Sequence, residues 1–294
     1  MQKFHLKSNG PVDLAKSCVP YTENRADREA FADGFLYRAF RIDHVPALLK
    51  VQNRADDELQ AVVVAAGKEP LPRRSRVEQA LRRKLSLDLD LPAFYRFLSA
   101  DPALSRLPGH HRGLRPILKD SLFEALSLAI ADQQVNVTFA AELKHRLLSN
   151  YGTQYELDGI PLWLFPDATT LANLDEYALR PLQYTRNKSS FITGLARTFL
   201  ADPAWNHLTG SGESIVQRLC QLRGVGRWTA EYGAMMGLGI TDTLPAADIA
   251  LMRMVQRVAN LPHRPTEQEV RAYGAGWSPW QGLVTFYLWR QEEL

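Results

Sequence analysis

The chain has 294 residues, more than one compact core usually organises, so two or three subdomains sharing a continuous core are expected. Hydrophobic residues make up 46% and charged residues 23%, which excludes a largely disordered chain, and the formal net charge of +3 permits nucleic-acid binding without requiring it. Two cysteines, Cys18 and Cys220, are too few for a disulfide framework, a four-thiolate zinc site or a cysteine-ligated iron–sulfur cluster, and both are expected to be buried or inert thiols. The start of the chain carries no apolar signal core and no later run reaches membrane-span length, so a cytoplasmic protein with no membrane partner is expected.

From residue 34 to 67 the pattern is that of strands. FLYRAFRI (35–42), ALLKVQNR (47–54) and LQAVVVAAG (59–67), separated by the polar turns IDHVP and ADDE, predict an antiparallel sheet. The basic stretch PLPRRSRVEQALRRKL turns helical, and nearly everything after it reads as helices joined by Gly, Pro and Asn punctuation. The fold class expected is therefore mainly α with an N-terminal antiparallel β-containing (α+β) domain. A boundary between residues 75 and 110 divides it into an α+β domain over 1–90 and an all-α region of two helical subdomains over 91–294.

Ser121 with Glu124 fits a capping box, and Phe123, Leu126 and Ile130 recur at helical spacing until the polar break DQQVN. Phe139, Leu143 and Leu147 give the next helix its apolar face, and Gly152 follows its end. Thr266 with Glu269 is a second capping box. Ser278 before Pro279 predicts a last helix running from about Pro279.

The most informative segment is LCQLRGVGRWTAEYGAMM (219–236), where a helix end meets Arg223, Gly224, Val225 and Gly226 before a second helical run begins. Two glycines one residue apart allow a tight turn whose N–H groups approach a ligand closely, and a turn of that kind opening a helix suits an anion such as a DNA phosphate. By itself a Gly-x-Gly turn equally well ends one helix and starts another. Leu219, Leu222, Gly224, Val225, Gly226, Thr229 and Ala230 together form LxxLxGVGxxTA, which resembles the helix-hairpin-helix motif of DNA repair enzymes; Arg227 completes the expected hairpin contacts.

Further along, LPAADIALMRMVQR (244–257) places Asp248 at a helix entrance, a position that a plain N-cap would also occupy. A PxxD loop after the hairpin resembles the helix-hairpin-helix–GPD glycosylase superfamily, and that resemblance makes Asp248 the catalytic carboxylate. Such an anion stabilises the oxocarbenium-like charge that develops when a glycosidic bond breaks, and it can orient or deprotonate the attacking water. Members that also cleave the strand carry a nucleophilic lysine one residue before the Thr-Ala of the hairpin helix. Trp228 stands there in this chain, which implies a monofunctional hydrolase.

Trp228 and Tyr232, four residues apart, share one face of the hairpin helix. With GxGRWTAxY, PAAD and WxPWxxxxxxxxW the resemblance narrows to the 3-methyladenine DNA glycosylase II (AlkA-like) branch, over roughly residues 110–294. It implies a base pocket of Trp228, Tyr232 and Trp289, joined by Phe286 three residues before the last of these. Each of these aromatics could instead be core packing. Electron-rich rings match the positive charge of N-alkylated purines, so alkylation damage is the expected substrate.

The break at Asp132, Gln133, Gln134 and Val135 suits the wedge that fills the gap left by an extruded nucleotide, with Gln134 where AlkA-like members place a leucine and Gln133 beside it. Arg186, Lys188, Arg227, Arg253 and Arg257 are candidate phosphate contacts, or a solvated face. The histidines show no metal-ligand spacing, so no metal and no cofactor are expected, although the resemblance allows a monovalent cation on the hairpin carbonyls. The expected partner is double-stranded DNA with damaged bases, and the expected state a nucleoid-associated monomer. A non-catalytic DNA-binding module and a glycosylase for an uncharged lesion such as hypoxanthine or uracil are the rival readings.

Overall fold

The computed structural model describes residues 1–18 and 29–292. Its N-terminal part is a five-stranded antiparallel sheet in the order β1-β5-β4-β3-β2, built from β1 (Gln2–Lys7), β2 (Glu29–Ala32), β3 (Phe35–Ile42), β4 (Val45–Ala55) and β5 (Glu58–Ala65). β3, β4 and β5 fall on the three expected runs, in register with Ala39 opposite Leu48 and Leu49 opposite Val63. β1 and β2 add the two edges. One face of the sheet buries Phe4, Leu6, Leu36, Phe40, Leu49 and Val63 beneath Leu14 of α1 (Leu14–Cys18) and Val77 and Leu81 of α2 (Arg74–Lys84).

Beyond α2 the chain is mostly helical, with one correction to the expected pattern. α3 (Leu91–Ala100), α4 (Leu107–His110), α5 (Leu122–Asp132) and α6 (Val137–Tyr151) are followed by the hairpin β6 (Thr153–Leu157) and β7 (Ile160–Leu164). Asp158 and Gly159, both at positive φ (53° and 79°), make its two-residue turn. Leu162 and Leu164 pack on Tyr37, Ala39 and Leu48, covering the second face of the sheet.

There follow α7 (Ala168–Ala172), α8 (Arg186–Ala201), α9 (Gly212–Leu219), α10 (Arg227–Gly233) running into a turn of π-helix (Ala234–Leu238), α11 (Ile249–Val258), α12 (Glu267–Gly274) and α13 (Gln281–Glu292). They form two apolar cores. The first gathers Leu126, Leu143, Ile192, Leu219 and Ala230; the second gathers Phe94, Leu251, Val255, Val284 and Tyr287. The hairpin helix lies between them, with Ala230 and Ala234 in the first and Tyr232, Met235 and Met236 in the second. Whatever reaches α10 from outside therefore meets the seam between the two cores.

α5 is buried from Leu122 to Ala131. Ser121 caps it by accepting from Glu124 N at 3.1 Å, but the Glu124 carboxylate turns to Asp120 N (3.0 Å) instead of back to Ser121. Asp120 also meets Arg38 and Lys84, both buried, so the start of α5 is pinned to the sheet by charge. Burial, aided by the nearby Arg38 charge, pushes the Lys84 ammonium down to about 7. Thr266 and Glu269 form the expected capping box. The last helix begins later than expected, at Gln281, and the Ser278 hydroxyl donates to Asp242 (3.0 Å). Cys18 is a buried free thiol and Cys220 an exposed one. Among the described residues, no helix is long and apolar enough to cross a membrane.

Candidate active site

A turn at residues 244–248, closed by Ala246 N to Leu244 O (2.7 Å) and Asp248 N to Pro245 O (2.9 Å), delivers Asp248 to the head of α11 in an extended conformation. Its Oδ1 accepts from Leu251 N at 2.8 Å, as an N-cap should. Two further donors come from distant elements. Trp228 Nε1, from α10, donates to Oδ2 at 3.1 Å, and Trp289 Nε1, from α13, donates to Oδ1 at 3.0 Å. Three separate elements thus converge on one carboxylate. Burial raises its pKa above the ordinary aspartate value of 3.8, against the pull of these hydrogen bonds, which favour the anion.

The two indoles belong to a row of rings. Trp228 and Tyr232 are stacked with centroids 5.8 Å apart and planes 29° apart, and Tyr232 and Trp289 follow at 6.2 Å and 36°. Trp228 and Tyr232 are half-buried. Phe286 sits apart from this row: it is 3% exposed in the second core, where its ring neighbours Tyr287. Outside Trp228 opens a cavity of about 480 Å³ lined by Gln133 and Gln134 on one side, residues 226–229 on another, and Ala247 and Glu267 on the third. A second cleft of about 340 Å³, against α2, touches none of the candidate residues; its Arg82 is paired with Asp88, and Arg83 with the Gly237 carbonyl.

The hairpin is anchored from below. Leu222, Val225 and Thr229 are buried, so their side chains hold the turn in place, while Gly226 is exposed. Gly224 has φ +85°, and a Cβ there would lie 2.3 Å from Phe191 Cγ. Gly226, the cap residue of α10, has ordinary φ (−81°) and nothing within 4 Å of where its Cβ would be. Gly224 is required by the protein's own packing, and Gly226 leaves room for something outside the protein. The first N–H groups of α10 have no acceptor in the preceding turn, and Gly226 offers no side chain to cap them.

Two of the candidate phosphate contacts are engaged within the protein. Arg227 pairs with Glu213 (2.6 Å) and with the buried Glu231 (2.9 Å), which also holds Arg271 (2.8 Å), so Arg227 clamps α9 to α10. Lys188 is buried and donates to Ala131 O at 2.8 Å, satisfying a carbonyl of the last turn of α5. Arg186 lies beside Glu176 (3.8 Å) and the Tyr177 ring. Arg223, Arg253 and Arg257 are exposed.

The two glutamines part company. Gln134 is exposed at the tip of the turn with φ +55°. Gln133 turns inward, its Nε2 donating to Gly224 O (3.0 Å) and Thr229 Oγ1 (2.9 Å). Sequence reasoning missed this contact, the two indole donors on Asp248 and the buried Glu231. The four-residue spacing of Arg227 and Glu231 was a readable signal for the last; the others join residues too far apart in the chain to be paired by pattern.

Residues 128–279, just over half of the chain, match the HhH-GPD superfamily base excision DNA repair protein family. A DNA-3-methyladenine glycosylase of Bacillus subtilis is 31% identical over 220 residues, 74% of this chain and 73% of that protein. A probable bifunctional transcriptional activator/DNA repair enzyme AlkA of Mycobacterium tuberculosis is 33% identical over 289 residues, 94% of this chain and 53% of that protein. Among solved structures, a 3-methyladenine DNA-glycosylase from Archaeoglobus fulgidus superposes with a TM-score of 0.84 at 21% identity, covering 99% of this chain and 98% of that one. The shared fold therefore includes the N-terminal sheet.

Proposed function

The chain belongs to the HhH-GPD superfamily of base excision DNA repair proteins, and from that premise we propose that it is a monofunctional DNA glycosylase. In this reading it flips alkylated bases of the 3-methyladenine and 7-methylguanine type out of duplex DNA and hydrolyses the N-glycosidic bond. The names of its relatives support a hydrolase acting on alkylated bases. The observation that carries the finer reading is Asp248, a carboxylate held by three N–H donors, two of them the indoles at the two ends of a row of aromatic rings, beside a cavity lined by Trp228 and Ala247 between hairpin and wedge turn.

The chemistry follows from the placement. Backbone N–H groups at Gly226 and the start of α10 grip a phosphate without reading sequence. Gln134 enters the stack, and the extruded nucleotide swings into the cavity beside Trp228. An N-alkylated purine carries positive charge that electron-rich rings favour, and that charge makes it a good leaving group. As the bond to C1′ lengthens, the fixed charge of Asp248 stabilises the oxocarbenium-like sugar. Its donors favour the ionised form against the effect of burial and hold the carboxylate in orientation. With an indole at residue 228 no amine stands ready for a Schiff base, so water completes the reaction and an abasic site remains. A monovalent cation at the hairpin would rest on the Leu222 and Gly224 carbonyls, each with a second lone pair beside the bond from Val225 N or Gln133 Nε2, and would add positive charge near the phosphate.

The test is release of bases from dimethyl-sulfate-treated duplex DNA, with strand breaks scored before and after alkali. The expected result is free 3-methyladenine and 7-methylguanine with breaks only after alkali. Binding to abasic-site DNA with no release of any base would favour the non-catalytic reading.

Because Asp248 must be ionised to act and burial raises its pKa, excision should fail on the acid side with a midpoint above 3.8. Trp289→Phe removes a donor that favours the anion, so its pH–rate profile should shift further upward; a shift downward would contradict the assigned role. For stability the sign is opposite. The folded protein holds this proton more tightly than the unfolded chain, so Asp248 costs stability progressively as pH rises from the unfolded value through the folded one, and fully above it.

The exposed arginines give a separate expectation. Arg223→Ala should weaken DNA binding and flatten the salt dependence by about one unit of slope, whereas Lys188→Met should leave the slope unchanged because its ammonium is spent on Ala131 O. Titrations of duplex affinity between low and moderate salt decide between them.

A further inference from the structure

The turn presenting Gln134 is held at three points. Lys188 Nζ donates to Ala131 O at 2.8 Å, Lys144 pairs with Asp132 at 2.8 Å, and Gln133 Nε2 reaches Gly224 O at 3.0 Å and Thr229 Oγ1 at 2.9 Å. The first two fix the turn to its own helical neighbours. The third joins it to the hairpin, and its two acceptors flank Gly226, the residue with open space beside it.

We propose that Gln133 is a positioning residue that couples the wedge turn to the phosphate-gripping hairpin, so that seating of the DNA backbone at Gly226 sets how far Gln134 enters the base stack. This rests on the glycosylase reading above. Gln134 itself stands at φ +55°, a conformation that costs a non-glycine residue free energy and persists only when its surroundings fix it. With the neighbouring amide bonded to Gly224 O and Thr229 Oγ1, the backbone that carries Gln134 is tied to the hairpin on both sides of the grip point. Gln133 touches neither base nor sugar in this arrangement; it acts through Gln134.

The experiment uses the full chain and a duplex with one N7-methylated guanine, either paired or in a one-nucleotide bulge where little unstacking is needed. Gln133→Met keeps the side-chain length and removes both hydrogen bonds. Its single-turnover excision from the paired duplex should fall about 30-fold while excision from the bulge stays within about 3-fold of wild type, since displacement of a positioned group by an ångström costs up to about two orders of magnitude. The fluorescence rise of a neighbouring 2-aminopurine, which reports unstacking, should shrink in parallel. Thr229→Val, which removes one of the two acceptors, should show the same asymmetry with a smaller amplitude, and it serves if Gln133→Met does not fold. Equal losses on both substrates, or no loss on either, would overturn the proposal. A wild-type protein that releases no base from either substrate would instead overturn the glycosylase reading. Gln134→Ala without asymmetry would remove Gln134 as the wedge and leave Gln133 nothing to position.

Discussion

Asp248→Asn should reduce base release about 10³-fold, equivalent to ~4 kcal/mol of transition-state stabilisation, while abasic-site DNA is still bound with near wild-type affinity. Asparagine keeps the shape and an oxygen for Leu251 N, so the cap on α11 survives. The amide nitrogen, however, would have to face one indole N–H, and either orientation leaves a donor against a donor. More important is the loss of the charge itself, because an amide dipole stabilises a developing cation far less than a carboxylate does at low local dielectric. Binding should not suffer, since removing an anion beside a polyanion cannot weaken their attraction. Single-turnover rates beside gel-shift affinities make the comparison, and retention of a tenth or more of the excision rate would dismiss Asp248 from the reaction.

The second large effect separates two glycines of one motif. Gly224→Ala should destabilise the protein by about 2–4 kcal/mol, the left-handed conformation and the overpacking against Phe191 each contributing. Gly226→Ala should cost no more than about 1 kcal/mol, the loss of a glycine at the helix cap, because its φ is ordinary and its Cβ would meet no protein atom. Yet in DNA binding Gly226→Ala should cost about 10-fold, through a methyl group placed where the phosphate must approach the backbone. Thermal melts and duplex affinities of both variants give the readout. Reversed behaviour, with Gly226→Ala unfolding and Gly224→Ala only losing DNA, would mean that the grip point has been assigned to the wrong residue.

Much of this was legible because it is local. The strand-like runs FLYRAFRI and LQAVVVAAG between polar turns yield β3 and β5, the Thr266 and Glu269 pair caps α12, and LxxLxGVGxxTA marks the hairpin, all within windows of about a dozen residues. The β6–β7 hairpin had a readable signal as well, since Asp158 and Gly159 sit between apolar runs, but the helical rhythm on either side obscured it. Partner choice was not legible. Arg227 and Lys188 look like surface cations in sequence, and only packing reveals the buried Glu231 beside one and the Ala131 carbonyl, 57 residues away, beside the other. The aromatic row was foreseen from spacing and resemblance for Trp228, Tyr232 and Trp289. That two of these rings also hold Asp248, across 20 and 41 residues, has no local signature.

α5 is a rod about 16 Å long, at 1.5 Å per residue, with its foot in the charged junction against the sheet and Gln134 just beyond its tip. If Gln134 is the wedge proposed above, a duplex pressing on the tip would load the Asp120 junction and, through it, the five-stranded sheet. On that reading the encounter would be a stiffness test, in which base pairs whose stacking or pairing is already weakened yield before sound duplex does. The sheet, remote from Asp248, would serve as the anvil for that test.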